Sequence, residues 1–167
     1  QDEVDEAMWV AQRVVEEAQG DYGRCAIFYR TNAQSRIIEE VFIRLSIPYT
    51  VVGGVKFYQR KEIKDLIAYL RLAINPRDEV SLRRIINIPP RGIGKRSLER
   101  LEEMARGQEG LLEALRGAAE GFPSKVREGI RDLLLLLEEL EGKAKELPPG
   151  ELLEWLIDRI DYLGYLS

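Results

Sequence analysis

"RCAIFYR", from Arg24 to Arg30, is the stretch on which the fold class turns. Its run from Cys25 to Tyr29 is apolar and aromatic, and the turn formers Gly20, Asp21 and Gly23 stand just before it. A short apolar run bounded by turn residues has the length of a buried strand and is too short for a helix. Upstream, in "VDEAMWVAQRVVEEAQG", Met8, Ala11, Val14, Val15 and Ala18 recur at helical spacing, and Gly20 is placed to end that helix. Downstream, Ile37, Ile38, Val41, Phe42 and Leu45 mark one face of a second helix. "IPYTVV" (Ile47 to Val52) is β-branched, carries a proline suited to a sheet edge, and is closed by Gly53 and Gly54. The order strand–helix–strand predicts an α/β N-terminal part with a parallel pair.

From Lys61 onward every signal is helical. Ile63, Leu66, Ile67, Leu70 and Ile74 follow at steps of three and four, and Asp78 is placed to cap the next helix. Further helices are predicted from Ser97, from Phe122-Pro123-Ser124 to about Gly142, and from "LPPGELLEWLIDRI". Leu133 to Leu137 is apolar round too much of a helix to face solvent on all sides. The composition shifts near Tyr58 to Arg60, which sets a domain boundary between residues 1–58 and 59–167.

Cys25 is the only cysteine and there is no histidine, so an intrachain disulfide, a Cys-rich metal site and a histidine base are all excluded. No apolar run approaches the roughly 18 residues of a membrane span. No signal pattern opens the chain, and a cytoplasmic location is the expectation. The formal charge is −4, yet Ser81 to Arg100 holds Arg83, Arg84, Arg91, Lys95, Arg96 and Arg100 against Glu99 alone. An acidic chain with one concentrated basic stretch argues for a local anion contact and against nonspecific polyanion binding by the whole surface.

That stretch contains "PPRGIGKRSLERL" (Pro89 to Leu101). Gly92 and Gly94 permit a sharp turn and close backbone approach, and the amides at the start of the next helix are free to face an anion. Lys95 and Arg96 stand where a bound phosphate would want them. Two readings fit: a helix–hairpin–helix phosphate site, or an ordinary connection with a solvated basic face.

"YRTNAQSR" (Tyr29 to Arg36), "IPYTVVGGVKFYQRKEIKDLIAYLRL" (Ile47 to Leu72) and "INIPPRGIGKRSL" (Ile86 to Leu98), in that order and spacing, resemble the UvrD/PcrA/Rep family of superfamily 1 DNA helicases. The resemblance runs from about Asp5 to the C-terminus and is densest between Ile27 and Leu98. It implies that residues 1–58 are the first part of the motor domain called 2A, a RecA-like α/β domain. Residues 59–167 are then the first part of the mainly helical inserted domain 2B, and Ser167 falls inside that domain.

The resemblance also assigns roles. Arg30, Asn32 and Lys56 match positions lining the single-strand track. Arg91, Gly92, Ile93, Gly94, Lys95 and Arg96 form the loop that grips duplex backbone without regard to sequence. Asn32 also suits a helix N-cap, and Lys56 a solvated lysine; Phe57 and Tyr58 suit aromatic contact more than base stacking. The implied whole is an ATP-dependent, 3′-to-5′ DNA helicase of repair or replication. Its partners would be single-stranded and duplex DNA, the remaining helicase domains and candidate repair proteins, with no membrane. The alternatives are a free-standing helix–hairpin–helix adaptor without a motor and a helical protein-interaction module.

Within these residues there is no G-x-x-x-x-G-K-[ST] loop and no Asp-Glu box, so no catalytic or metal residue is assigned and ATP and Mg²⁺ are expected only in the full-length parent. The purified 167-residue chain should therefore release no phosphate from ATP, with or without DNA. DNA-stimulated turnover that co-purifies with the chain would show an unrecognised nucleotide site.

Overall fold

The computed structural model describes residues 2–52, 54, 56–118 and 121–167, apart from the side chain of Asn32. The chain divides into two compact units, residues 1–63 and 64–167.

In the first unit, helix α1 (Glu3–Ala18) starts in a capping box. The Asp2 carboxylate accepts the N–H groups of Val4 and Asp5 at 3.0 and 2.9 Å, and Asp5 reaches back to the Asp2 N–H at 3.3 Å. The helix buries Ala7, Ala11 and Ala18, whose small side chains let α2 (Asn32–Arg44) come close. Val41 and Phe42 on α2 and Ile47 beyond it close this small core, with Ile27, Ile37, Ile38 and Tyr49 packed round it.

The expected α/β character of this part is not found. Among the described residues there is no strand, and residues 25–29 and 47–51 run without regular structure. Cys25 does have extended dihedrals (φ −104°, ψ 139°). A strand, however, exists through a hydrogen-bonded ladder, not through extension alone. No backbone hydrogen bond joins the two segments among the described residues. Phe28 is 94% exposed and Val52 91%, where buried strands would hide such residues. The composition of "RCAIFYR" and "IPYTVV" thus specifies extended chain and supplies no pairing partner. Gly53, half of the expected glycine turn, lies outside the described residues.

Helices are the only regular elements among the described residues of the second unit. Its elements are α3 (Lys61–Ile74, whose first turn belongs to the first unit), α4 (Glu79–Ile85), α5 (Lys95–Ala105), α6 (Leu111–Gly117), α7 (Ser124–Glu146), α8 (Pro149–Arg159) and α9 (Tyr162–Leu166). Asp78 caps α4, accepting the Ser81 N–H at 3.1 Å and the Ser81 hydroxyl at 2.7 Å. These bonds hold the Asp78 carboxyl below the usual carboxylate range. Tyr69, Leu72, Leu82, Ile85, Leu101, Leu111, Leu133, Leu140 and Leu156 belong to one core. Of the five-leucine run, Leu133 and Leu136 are buried and Leu135 is 48% exposed, so α7 turns one side of the run outward.

A charged group is built into this core. Asp65 on α3 has no solvent exposure, and one oxygen takes Nε of Arg84 at 2.8 Å while the other takes the Tyr162 hydroxyl at 2.9 Å. The carboxylate thereby joins α3, α4 and the C-terminal α9. Arg84→Ala removes the cation facing a buried carboxylate, a loss of about 3 kcal/mol at the low end of such cases because Arg84 is itself 35% exposed. Tyr162→Phe should cost only about 1 kcal/mol. Urea unfolding of both variants measures the difference, and equal losses would deny the ion pair its leading part.

Candidate functional site

The basic stretch forms the connection between α4 and α5. Its shape is set by one amide side chain: Asn87 Oδ1 accepts the Arg91 N–H at 2.7 Å and the Ile93 N–H at 3.2 Å. Gly92 has φ +77°, where a side chain would be strained, and the Gly94 N–H closes back on the Gly92 carbonyl at 3.1 Å. Ile93 turns inward and is 3% exposed, which pins the tip of the loop to the core. Gly94 is the N-cap of α5 and offers no capping side chain, so the first amides of that helix are not satisfied by a cap.

Arg91 faces the protein. Its Nη1 donates to the carbonyls of Ile85 (2.9 Å), Ile88 (3.0 Å) and Pro89 (3.3 Å), and Nη2 donates to the Tyr69 hydroxyl at 2.6 Å. The Tyr69 hydroxyl in turn donates to the Ile88 carbonyl. Burial pushes the Tyr69 phenol above its ordinary range, against the pull of the Arg91 charge, so it stays a neutral donor. These contacts make Arg91 a strut of the loop.

The rest of the positive cluster divides the same way. Arg84 is held by Asp65, Arg83 lies 3.3 Å from both Glu79 and Glu102, and Arg100 donates to the Gly121 carbonyl at 2.5 Å while covering the Phe122 ring. Lys95 is 90% exposed with only a 3.9 Å approach to Glu99, a contact worth little in water. Arg96 is exposed and has no ion pair or hydrogen bond of its side chain among the described residues. Of the six cations, Lys95 and Arg96 are the two left to meet an outside anion.

The loop rests on α7, which sequence reasoning did not connect with it. An ideal Cβ on Gly129 would stand 2.0 Å from the Arg91 carbonyl oxygen, so only a glycine permits this approach. Lys125, one turn earlier, lies along Gly92, its Cγ 3.1 Å from the position of a Cβ there. The signal available in the sequence was the Gly129–Lys125 spacing, which means nothing until α7 is known to cross the loop.

The residues matched to a single-strand track lie in the first unit. Arg30 is exposed, and its N–H and that of Thr31 donate to Gln34 Oε1 at 2.9 and 3.0 Å. Thr31 is the N-cap of α2 and Asn32 its first residue, so the cap position considered for Asn32 belongs to its neighbour; its side chain lies outside the described residues. Lys56 is exposed, with its ammonium 4.3 Å from the centre of the Tyr49 ring. Glu39, 3% exposed, organises the surroundings by accepting the Phe57 N–H at 3.1 Å and the Tyr49 hydroxyl at 3.2 Å. Burial first, and Glu39 second, raise the Tyr49 phenol. Phe57 meets the guanidinium groups of Arg36 and Arg60 at 5.9 and 5.4 Å and the edge of Tyr58 at 5.1 Å. A groove of about 1040 Å³ lies between the two extended segments, lined by Ile27, Phe28, Tyr49 and Val51 among others. Neither Arg30 nor Lys56 lines it.

No group of acidic or cysteine side chains among the described residues could hold a metal ion, and no described helix is long and apolar enough to cross a membrane.

Comparison with known proteins places residues 1–115 in the UvrD-like helicase C-terminal domain family. The ATP-dependent DNA helicase UvrD1 of Mycobacterium tuberculosis is 44% identical over 168 residues, covering 96% of this chain and 22% of that protein, and its Mycobacterium bovis counterpart matches equally. The ATP-dependent DNA helicase PcrA of Staphylococcus epidermidis is 40% identical, covering 99% of this chain and 23% of that protein. The chain thus spans less than a quarter of the length of these curated relatives.

Two glycines of α7 test the seating of the loop. Gly129→Ala forces the helix off the Arg91 carbonyl and should cost about 1–3 kcal/mol. Gly142, in the same helix, faces open space, and Gly142→Ala should stabilise by about 0.5–1 kcal/mol. Opposite signs in urea denaturation are expected. A neutral Gly129→Ala would mean that α7 does not press on the loop.

Proposed function

We propose that this chain, which belongs to the UvrD-like helicase family, is a DNA-binding segment of an ATP-dependent 3′-to-5′ DNA helicase. In this reading residues 1–58 open the motor domain 2A and residues 59–167 open the inserted domain 2B. The observation that carries it is the exposed pair Lys95 and Arg96 beside a loop whose neighbouring cations are already paired within the protein, in a chain 44% identical to a protein named as a DNA helicase. Lys95 and Arg96, with the uncapped amides of α5, hold backbone phosphates of the duplex. Gly92, Ile93 and Gly94 give the loop the shape that lets DNA approach, and Arg91 braces it from within.

Arg30, Asn32 and Lys56 contribute to a single-strand track in the same proposal. Arg30 and Lys56 are exposed, which suits contact with phosphate. ATP and Mg²⁺ would be held by other parts of the parent, which acts in repair or replication in the cytoplasm alongside repair proteins. The loop touches phosphate and not base edges, so its grip is indifferent to sequence.

The test is duplex binding by the purified chain, followed by fluorescence anisotropy across a series of salt concentrations. If Lys95 and Arg96 each neutralise one phosphate, Lys95→Ala/Arg96→Ala should flatten the slope of log K against log salt by about 1.8. An unchanged slope would reduce the loop to a turn and the two cations to a solvated face.

A further inference from the structure

The charge available at the loop exceeds what its own sequence supplies. Lys125 stands on the first turn of α7, one helical turn before Gly129 and on the same face. Because Gly129 seats that face against the Arg91 carbonyl, Lys125 is brought alongside Gly92, 33 positions away in the chain. Its Cγ, Cε and Cδ lie 3.1, 3.4 and 3.5 Å from where a Cβ of Gly92 would stand. The lysine stem fills the space that the absent side chain leaves, and the two features depend on one another. Lys125 is exposed, and among the described residues no carboxylate or hydrogen-bond acceptor engages its ammonium. Of the other cations beside the loop, Arg91 is spent on carbonyls and Arg100 on Gly121.

We infer that Lys125 is a third phosphate ligand of the duplex-gripping loop, so that the interface is composite, built from the α4–α5 connection and the start of α7. The inference rests on the reading of the loop as a duplex contact and extends it to a residue that the loop motif does not contain. Its ligand is the phosphodiester backbone. A lysine held along its stem loses less freedom on meeting a phosphate than one standing free, because part of its rotamer entropy is already spent.

The experiment is the same anisotropy titration on the 167-residue chain with a short duplex at several salt concentrations, using single variants. Lys125→Ala should flatten the salt slope by about 0.9, the contribution of one neutralised phosphate. Lys125→Arg should keep the wild-type slope, since the charge and the apolar stem both remain. Arg127→Ala should also keep it, because two residues along a helix is about 200° round its axis and points away from the loop. If Lys95→Ala/Arg96→Ala flattens the slope and Lys125→Ala does not, the loop reading stands and the inference is wrong. If neither does, the loop reading itself has failed and Lys125 falls with it. An equal effect of Arg127→Ala would show general charge attraction, and would likewise overturn a specific contact at Lys125. Thermal melts of all variants confirm that these exposed substitutions leave the fold in place.

Discussion

The Arg91 carbonyl comes so near α7 that the first carbon of any side chain at Gly129 would collide with it, while the guanidinium of the same residue collects three carbonyls and the Tyr69 hydroxyl. A tight loop leaves several backbone oxygens pointing at one another, and unpaired oxygens near a core are costly. Arginine, with five donors on a rigid plane, can satisfy them together where lysine could not. This local solution lets the loop rest on α7 at Gly129, while Asn87 holds the Ile93 amide and Gly94 leaves the start of α5 without a capping side chain.

Charge in the basic stretch serves two purposes that composition merges. Arg83, Arg84, Arg91 and Arg100 are anchored to carboxylates or carbonyls and stabilise the helical unit. Lys95 and Arg96 lie outside that network. An excess of six cations over one anion therefore overstates what the surface can offer a ligand, and Lys125 restores part of the difference from a distant segment. Such an arrangement keeps positive charge local on a chain of net charge −4, which favours a held contact over diffuse attraction.

In the first unit a buried glutamate has the organising part. Glu39 ties the start of the Phe57–Gln59 turn and the Tyr49 hydroxyl to α2, and Lys56 stands over the Tyr49 ring as a result. The guanidinium groups of Arg36 and Arg60 lie 5.9 and 5.4 Å from the centre of the Phe57 ring. Tyr49, held by Glu39, thereby sets where the ammonium of Lys56 stands.

Local signals were enough for much of this. Helical periodicity from Ile63 to Ile74, the Asp78 cap, the long helix after Pro123 and the glycine turn before Lys95 are each written in residues close together in the chain, because helices and caps are made of short-range bonds. The motif spacing also sufficed to identify the family. The strands expected at "RCAIFYR" and "IPYTVV" failed for the opposite reason: extension is local, but a ladder needs a partner segment, and composition does not say whether one is there. The division of the cations was equally beyond reach, since whether an arginine faces a carbonyl or water depends on which backbone lies beside it. Sequence determined that a glycine loop with positive charge opens α5. Only the tertiary structure decided which of those charges are already paired, through Asp65, the loop carbonyls and Gly121, and the crossing of α7 at Gly129 brought Lys125 to the loop, because that contact joins residues whose separation along the chain carries no local signal.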